Sequence, residues 1–128
     1  MKRTVLLISF LLFLNACAFD LVHVKQTPAS IIPKNDPNAN FTLEKEANVS
    51  LGTGYNRILK ENTNWELVGF LPEGGVFKTK DQILTVEGSN IYEAYIVVES
   101  DTLTGFYLPA EGTFSPLRQP IPLHVIHQ

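Results

Sequence analysis

From residue 41 onward, apolar and polar positions alternate along most of the chain. Between Phe41 and Leu51, positions 41, 43, 47, 49 and 51 are apolar, while 42, 44, 46, 48 and 50 are Thr, Glu, Glu, Asn and Ser. This period of two, interrupted only by Lys45, predicts an extended segment with one buried and one wet face. A second run, Asn64 to Phe70, meets Val76 to Thr79 across Leu71-Pro-Glu-Gly-Gly75, a loop of hairpin length. Gln82 to Glu87 leads through Gly88-Ser-Asn90 into Ile91 to Glu99, which leads through Ser100-Asp101 into Thr102 to Leu108. Those turns predict three consecutive antiparallel strands. No window of about eleven residues keeps a helical apolar spacing free of β-branched residues, glycine or turn signals, and Tyr55 to Asn62 has room for one short helical turn only. The expected fold is all-β, a small antiparallel barrel or rolled sheet of about six strands.

The N-terminus has a different pattern. Lys2 and Arg3 precede an apolar run from Val5 to Leu14, followed by Asn15-Ala16-Cys17, the three-part layout of an export signal. A helix of that length spans only about 15 Å, half the hydrocarbon thickness, so it suits a removable leader better than a permanent span. Residues 1 to 16 are therefore expected to be cleaved.

Leu14-Asn15-Ala16-Cys17 resembles the lipobox of bacterial lipoproteins, with Asn15 standing where a small or hydroxylated residue is usual. The resemblance implies cleavage between Ala16 and Cys17, a diacylglyceryl thioether on Cys17, and an acyl chain on its new amino group. Each buried methylene contributes about 0.8 kcal/mol, and two chains suffice for stable attachment. Ala16-Cys17-Ala18 also fits an ordinary secretory signal cleaved after Ala18, which would release a soluble product. The sole cysteine falls where the lipobox needs it, which favours the anchored form. By similarity to enterobacterial sorting rules, Ala18 after the cysteine implies delivery to the outer membrane, facing the periplasm. The remainder resembles short lipoproteins with a Glu-Ala-Tyr strand and a Gly-Phe-Tyr-Leu-Pro strand end, here Glu93 to Tyr95 and Gly105 to Pro109. That similarity implies no activity.

Proline and glycine placement completes the domain plan. The eight glycines lie between Gly52 and Gly112, and of the eight prolines only Pro72 sits well inside that stretch. Proline fixes φ and donates no backbone hydrogen bond, so both flanks are expected to be extended and poorly paired. Residues 17 to 40 read as a lipid-anchored tether, 41 to 118 as the β domain and 119 to 128 as a Pro-rich C-terminal tail. Phe19, Leu21, Val22 and Val24 are apolar exceptions within the tether, able either to pack near the membrane or to add an edge strand.

Charge and chemistry narrow the function classes. The formal net charge is −3, and loss of Lys2 and Arg3 with the leader makes the rest more acidic still, so polyanions such as nucleic acid are disfavoured. One cysteine leaves no disulfide framework and no multi-thiolate zinc site. His124 and His127 face opposite ways in an extended chain, so they and His23 do not make a metal site. No Gly-x-Ser-x-Gly elbow is present, and Gly52-Thr-Gly54 lacks the rest of a dinucleotide fingerprint. Catalytic residues, metals and cofactors other than the lipid on Cys17 are therefore not expected.

Two constellations stand out. Glu93 lies in the most apolar of the expected strands, and Arg57 is the partner expected to form a buried ion pair with it. Tyr92, Tyr95, Phe106 and Tyr107, with Trp65, place aromatics on both faces of the paired strands. One set fills the core; the other is either covered by the tail from Pro109 onward or exposed to bind peptide or glycan. The leading expectation is a non-enzymatic accessory or binding component of a cell-envelope assembly, with a protein partner. A small-ligand or glycan-binding barrel is the alternative, and an envelope hydrolase using Glu93 comes third.

Overall fold

The computed structural model describes residues 23–127. The leader, Ala16, Cys17 and the start of the tether lie outside the described residues.

The described residues are all-β apart from one short 3-10 turn, Pro37–Ala39. Its strands are β1 (Thr27–Pro28), β2 (Ile32–Pro33), β3 (Phe41–Leu43), β4 (Ala47–Ser50), β5 (Asn56–Leu59), β6 (Asn64–Leu71) and β7 (Gly74–Lys78). They continue as β8 (Thr85–Glu87), β9 (Ile91–Glu93), β10 (Tyr95–Glu99), β11 (Thr102–Leu108), β12 (Thr113–Pro122) and β13 (Val125–His127). Nine of them form one sheet in the order β1-β12-β11-β10-β7-β6-β3-β13, with β2 also on β6. β12 pairs with β11, and after Leu123 and His124 the same stretch of chain pairs with β3 as β13. The Leu123 N–H donates to the Asp101 carbonyl at 2.8 Å, and the Glu44 N–H donates to that of His124 at 2.7 Å. The C-terminal segment thus draws the two sides of the sheet together, and the sheet rolls without closing into a barrel.

The expected hairpins form in register. β6 meets β7 across Pro72 and Glu73, and β10 meets β11 across Ser100 and Asp101, whose φ values of 49° and 58° match the left-handed turn residues of a two-residue hairpin. Two expected strands are broken. The run 41 to 51 divides at Glu44-Lys45-Glu46, so Phe41 and Leu43 serve the large sheet while β4 pairs with β5 as a separate hairpin. Tyr55 to Asn62 contributes β5 rather than a helical turn. The run 91 to 99 divides at Ala94, with β9 pairing β8 and β10 joining the large sheet.

Both flanks depart from the expected tether and tail. β1 pairs with β12, β2 pairs with β6, and Val24 is buried in the main core. Proline lacks an N–H but keeps its carbonyl and apolar ring, so short edge pairings suit it. Residues 119 to 127 belong to β12 and β13 and hold the roll together.

Alternation divides the buried side chains between two clusters. Inside the roll, Phe41, Leu43, Trp65, Ile96, Leu103 and Phe106 form the centre of the main core. On the outer face Leu71, Val76, Val97, Tyr107 and Phe114 form a second cluster, covered by Ala29 and Ile31. The N-terminal segment, not the C-terminal tail, therefore covers the outer aromatics. Gly69 permits this approach, because a Cβ there would lie 2.6 Å from both the Ile31 side chain and the Ile32 carbonyl oxygen.

Candidate functional site

The ion pair between Glu93 and Arg57 does not form. The break at Ala94 takes β9 out of the large sheet and leaves Glu93 exposed. Arg57 instead holds Glu87, with its Nη2 2.7 Å from Oε1. Its Nε donates to the Thr85 carbonyl at 2.6 Å, and the Thr53 hydroxyl donates to the Glu87 carbonyl at 2.6 Å. These bonds fasten the β4–β5 hairpin to the β8–β9 hairpin. Val49, Leu51, Leu59 and Val86 from the two hairpins are buried in the main core.

The expected binding aromatics are mostly core residues. Trp65 and Phe106 are each 1% exposed, and Tyr107 is buried in the outer cluster. The Trp65 Nε1–H donates to the Thr63 hydroxyl at 2.9 Å, which donates in turn to the Lys60 carbonyl at 2.6 Å. Tyr92 and Tyr95 are half-buried, Tyr92 packing against the main core and Tyr95 against the outer cluster, its ring centroid 6.4 Å from that of Tyr107. Burial raises the Tyr95 hydroxyl above its usual pKa of 10.0, and the charge of Glu93 raises it further. The depression beside Glu93 includes Lys80, Gln82 and Tyr95 in its lining, with Glu93 its one carboxylate. Among the described residues no three His, Cys, Asp or Glu side chains gather as metal ligands, and His127 contacts Asp101 at 3.0 Å on the surface.

A different site emerges at an irregularity in the ladder. Gly105 pairs with Pro116 and Leu103 pairs with Ile121, so the single residue Thr104 on β11 opposes residues 117 to 120 on β12. Such a bulge bends its strand and re-aims the side chains it carries. Here it places Leu117 and Arg118 at the rim of a pocket of about 180 Å³. Val24, Leu51, Val86, Phe106 and Leu117 supply apolar walls, and His23, Lys25, Thr53, Ser115 and Arg118 supply polar groups.

Ser115 is unusual within this pocket. It sits opposite Phe106 in the ladder and is 7% exposed, yet its hydroxyl has no hydrogen-bond partner among the described residues and is not sealed from the pocket. Although the residue is largely buried, its hydroxyl still reaches solvent and is open to a ligand. Lys25 and Arg118 likewise make no ion pair among the described residues. The site therefore combines a small pocket with a partly apolar wall, an available hydroxyl and two cations that make no ion pair among the described residues. Sequence pattern did not reveal it, because its polar residues lie far apart in the chain and the bulge opposes four residues to one. The only hint was Pro116 and Pro120, which flank a stretch unable to sustain a regular ladder.

No family model, curated protein or solved structure matches this chain.

Proposed function

We propose that the chain is a non-enzymatic, lipid-anchored binding protein of the bacterial cell envelope that takes a small ligand in the bulge pocket. The pocket carries this reading: apolar walls with a few convergent polar groups are the usual composition of a ligand site. Burial of Trp65, Phe106 and Tyr107 favours it over a partner-binding aromatic surface. Incorporation of β12 and β13 into the roll favours it over capture of a partner by a free tail.

The anchoring half rests on Leu14-Asn15-Ala16-Cys17, and Ala18 after the cysteine supports delivery to the periplasmic face of the outer membrane. Among the described residues no helix is long and apolar enough to cross a membrane. Metabolic labelling with palmitate tests the anchor: label should appear on the intact protein and vanish in Cys17→Ser. An unlabelled wild-type protein would remove the anchor while leaving the pocket untouched. Protein NMR with small apolar ligands tests the pocket; amide shifts should cluster around residues 24, 52 and 115 to 118, and shifts confined elsewhere would defeat that half.

A further inference from the structure

The bulge pocket defines more than the presence of a ligand. A cavity of about 150 Å³ is large enough for a benzene-sized group, and this pocket, open on one side and lined by polar and apolar groups alike, measures about 180 Å³. Val24, Val86 and Phe106 are all under a tenth exposed, which makes the floor a place for an apolar group of one ring or one branched side chain. The rim has the opposite character. Lys25 and Arg118 are exposed and lack carboxylate partners among the described residues, although acidic groups outnumber basic ones across the chain. Glu87, the ion-paired acid on the adjoining hairpin, is already held by Arg57. Ser115, 7% exposed as a residue, adds to the lining a hydroxyl that has no partner among the described residues and still reaches solvent.

We infer that the pocket binds a compact apolar group carrying a single carboxylate. The apolar part fills the cavity against Phe106 and Val86, the carboxylate accepts from Arg118 and Lys25, and the Ser115 hydroxyl donates to whichever ligand oxygen enters deepest. A guanidinium presents paired donors matched to a carboxylate, so Arg118 sets the ligand's orientation while Lys25 acts as a point charge. Two ligands share this chemistry: a free apolar acid, and the C-terminal end of a peptide finishing in an apolar residue. The inference rests on the bulge pocket being a ligand site and adds the chemical class of what it takes.

Isothermal titration of the full protein in non-ionic detergent separates the possibilities, using phenylacetate, N-acetylphenylalanine and the neutral N-acetylphenylalaninamide as probes. Saturable binding of either acid is expected, with the amide at least about tenfold weaker than N-acetylphenylalanine wherever the latter binds. Phenylacetate alone identifies a free acid; binding of N-acetylphenylalanine identifies a chain end. In Arg118→Gln, affinity for the bound acid should fall about tenfold and discrimination against the amide should largely disappear. Arg118 is exposed, and an unchanged thermal melt of the variant would confirm that folding is retained. Ser115→Ala should weaken acid binding by a further factor of about three to ten. Equal affinity for N-acetylphenylalanine and its amide, or an acid affinity unaltered in Arg118→Gln, would overturn the carboxylate assignment while leaving the pocket as a ligand site. Binding by none of the three probes would overturn both.

Discussion

At the scale of single residues, Arg57 makes more bonds than any other charged side chain among the described residues. It reaches from one hairpin to the carbonyl of Thr85 and the carboxylate of Glu87 on another, with both ion-pair partners less than a third exposed. Replacing it with Met keeps the aliphatic stem and removes these bonds, so a loss of about 1–3 kcal/mol is expected in urea unfolding. Glu93→Gln should change stability by less than about 0.5 kcal/mol, as expected for an exposed position. The contrast tests the pairing directly. The sequence pointed to Glu93 as the acid for Arg57, because nothing in Ile91 to Glu99 announced the break at Ala94 that leaves Glu93 exposed and Arg57 paired with Glu87. Tyr95 adds a pH dependence. Its folded-state pKa lies above the usual 10.0, so the folded state holds the phenolic proton more tightly than the unfolded chain. The associated stability is complete below pH 10.0 and is lost as pH rises through the folded-state value. Denaturation followed from pH 9 upward should therefore show a fall that Tyr95→Phe reduces. Trp65, sealed in the core, should emit at short wavelength and resist acrylamide quenching until the protein unfolds.

At the scale of elements, the strap from Thr27 to Pro33 overturns the simplest reading of proline. Pro28 and Pro33 suggested an unpaired tether, yet each closes a two-residue pairing, with Thr113 and Gly69 respectively. A missing N–H limits a strand's length more than its existence. The hairpins were legible because turn residues and alternation agreed, as at Ser100-Asp101. The strap and the bulge were not, because their partners are distant in sequence and their ladders short. Gly69 is the point at which to test the strap: Gly69→Ala forces a Cβ against Ile31 and the Ile32 backbone. Hydrogen exchange should accelerate in residues 29 to 34 while β10 and β11 keep their protection, and uniform acceleration would count against a locally attached strap.

At the scale of the whole molecule, the fold is a roll kept together by its last residues, with two hairpins fastened beside it. Deleting residues 109 to 128 removes β12 and β13, and with them buried Phe114 and Leu123. The truncated chain should lose its cooperative thermal transition altogether, whereas retained cooperativity would show the roll to be self-sufficient. All-β character and the central hairpins could be read from alternation alone. A rolled sheet was expected too, but not that a C-terminal stretch whose prolines resemble a tail would hold the roll together. Burial of Val24 also limits how far the domain can stand from its proposed attachment. Val24 is already packed in the core, so at most residues 17 to 23 separate the proposed lipid from the domain. At about 3.3–3.6 Å per residue, that is a leash of roughly 20 Å. A domain on so short a leash would skim the headgroup layer, and its pocket, which opens beside His23, would meet whatever accumulates at a lipid surface before anything free in the wider compartment.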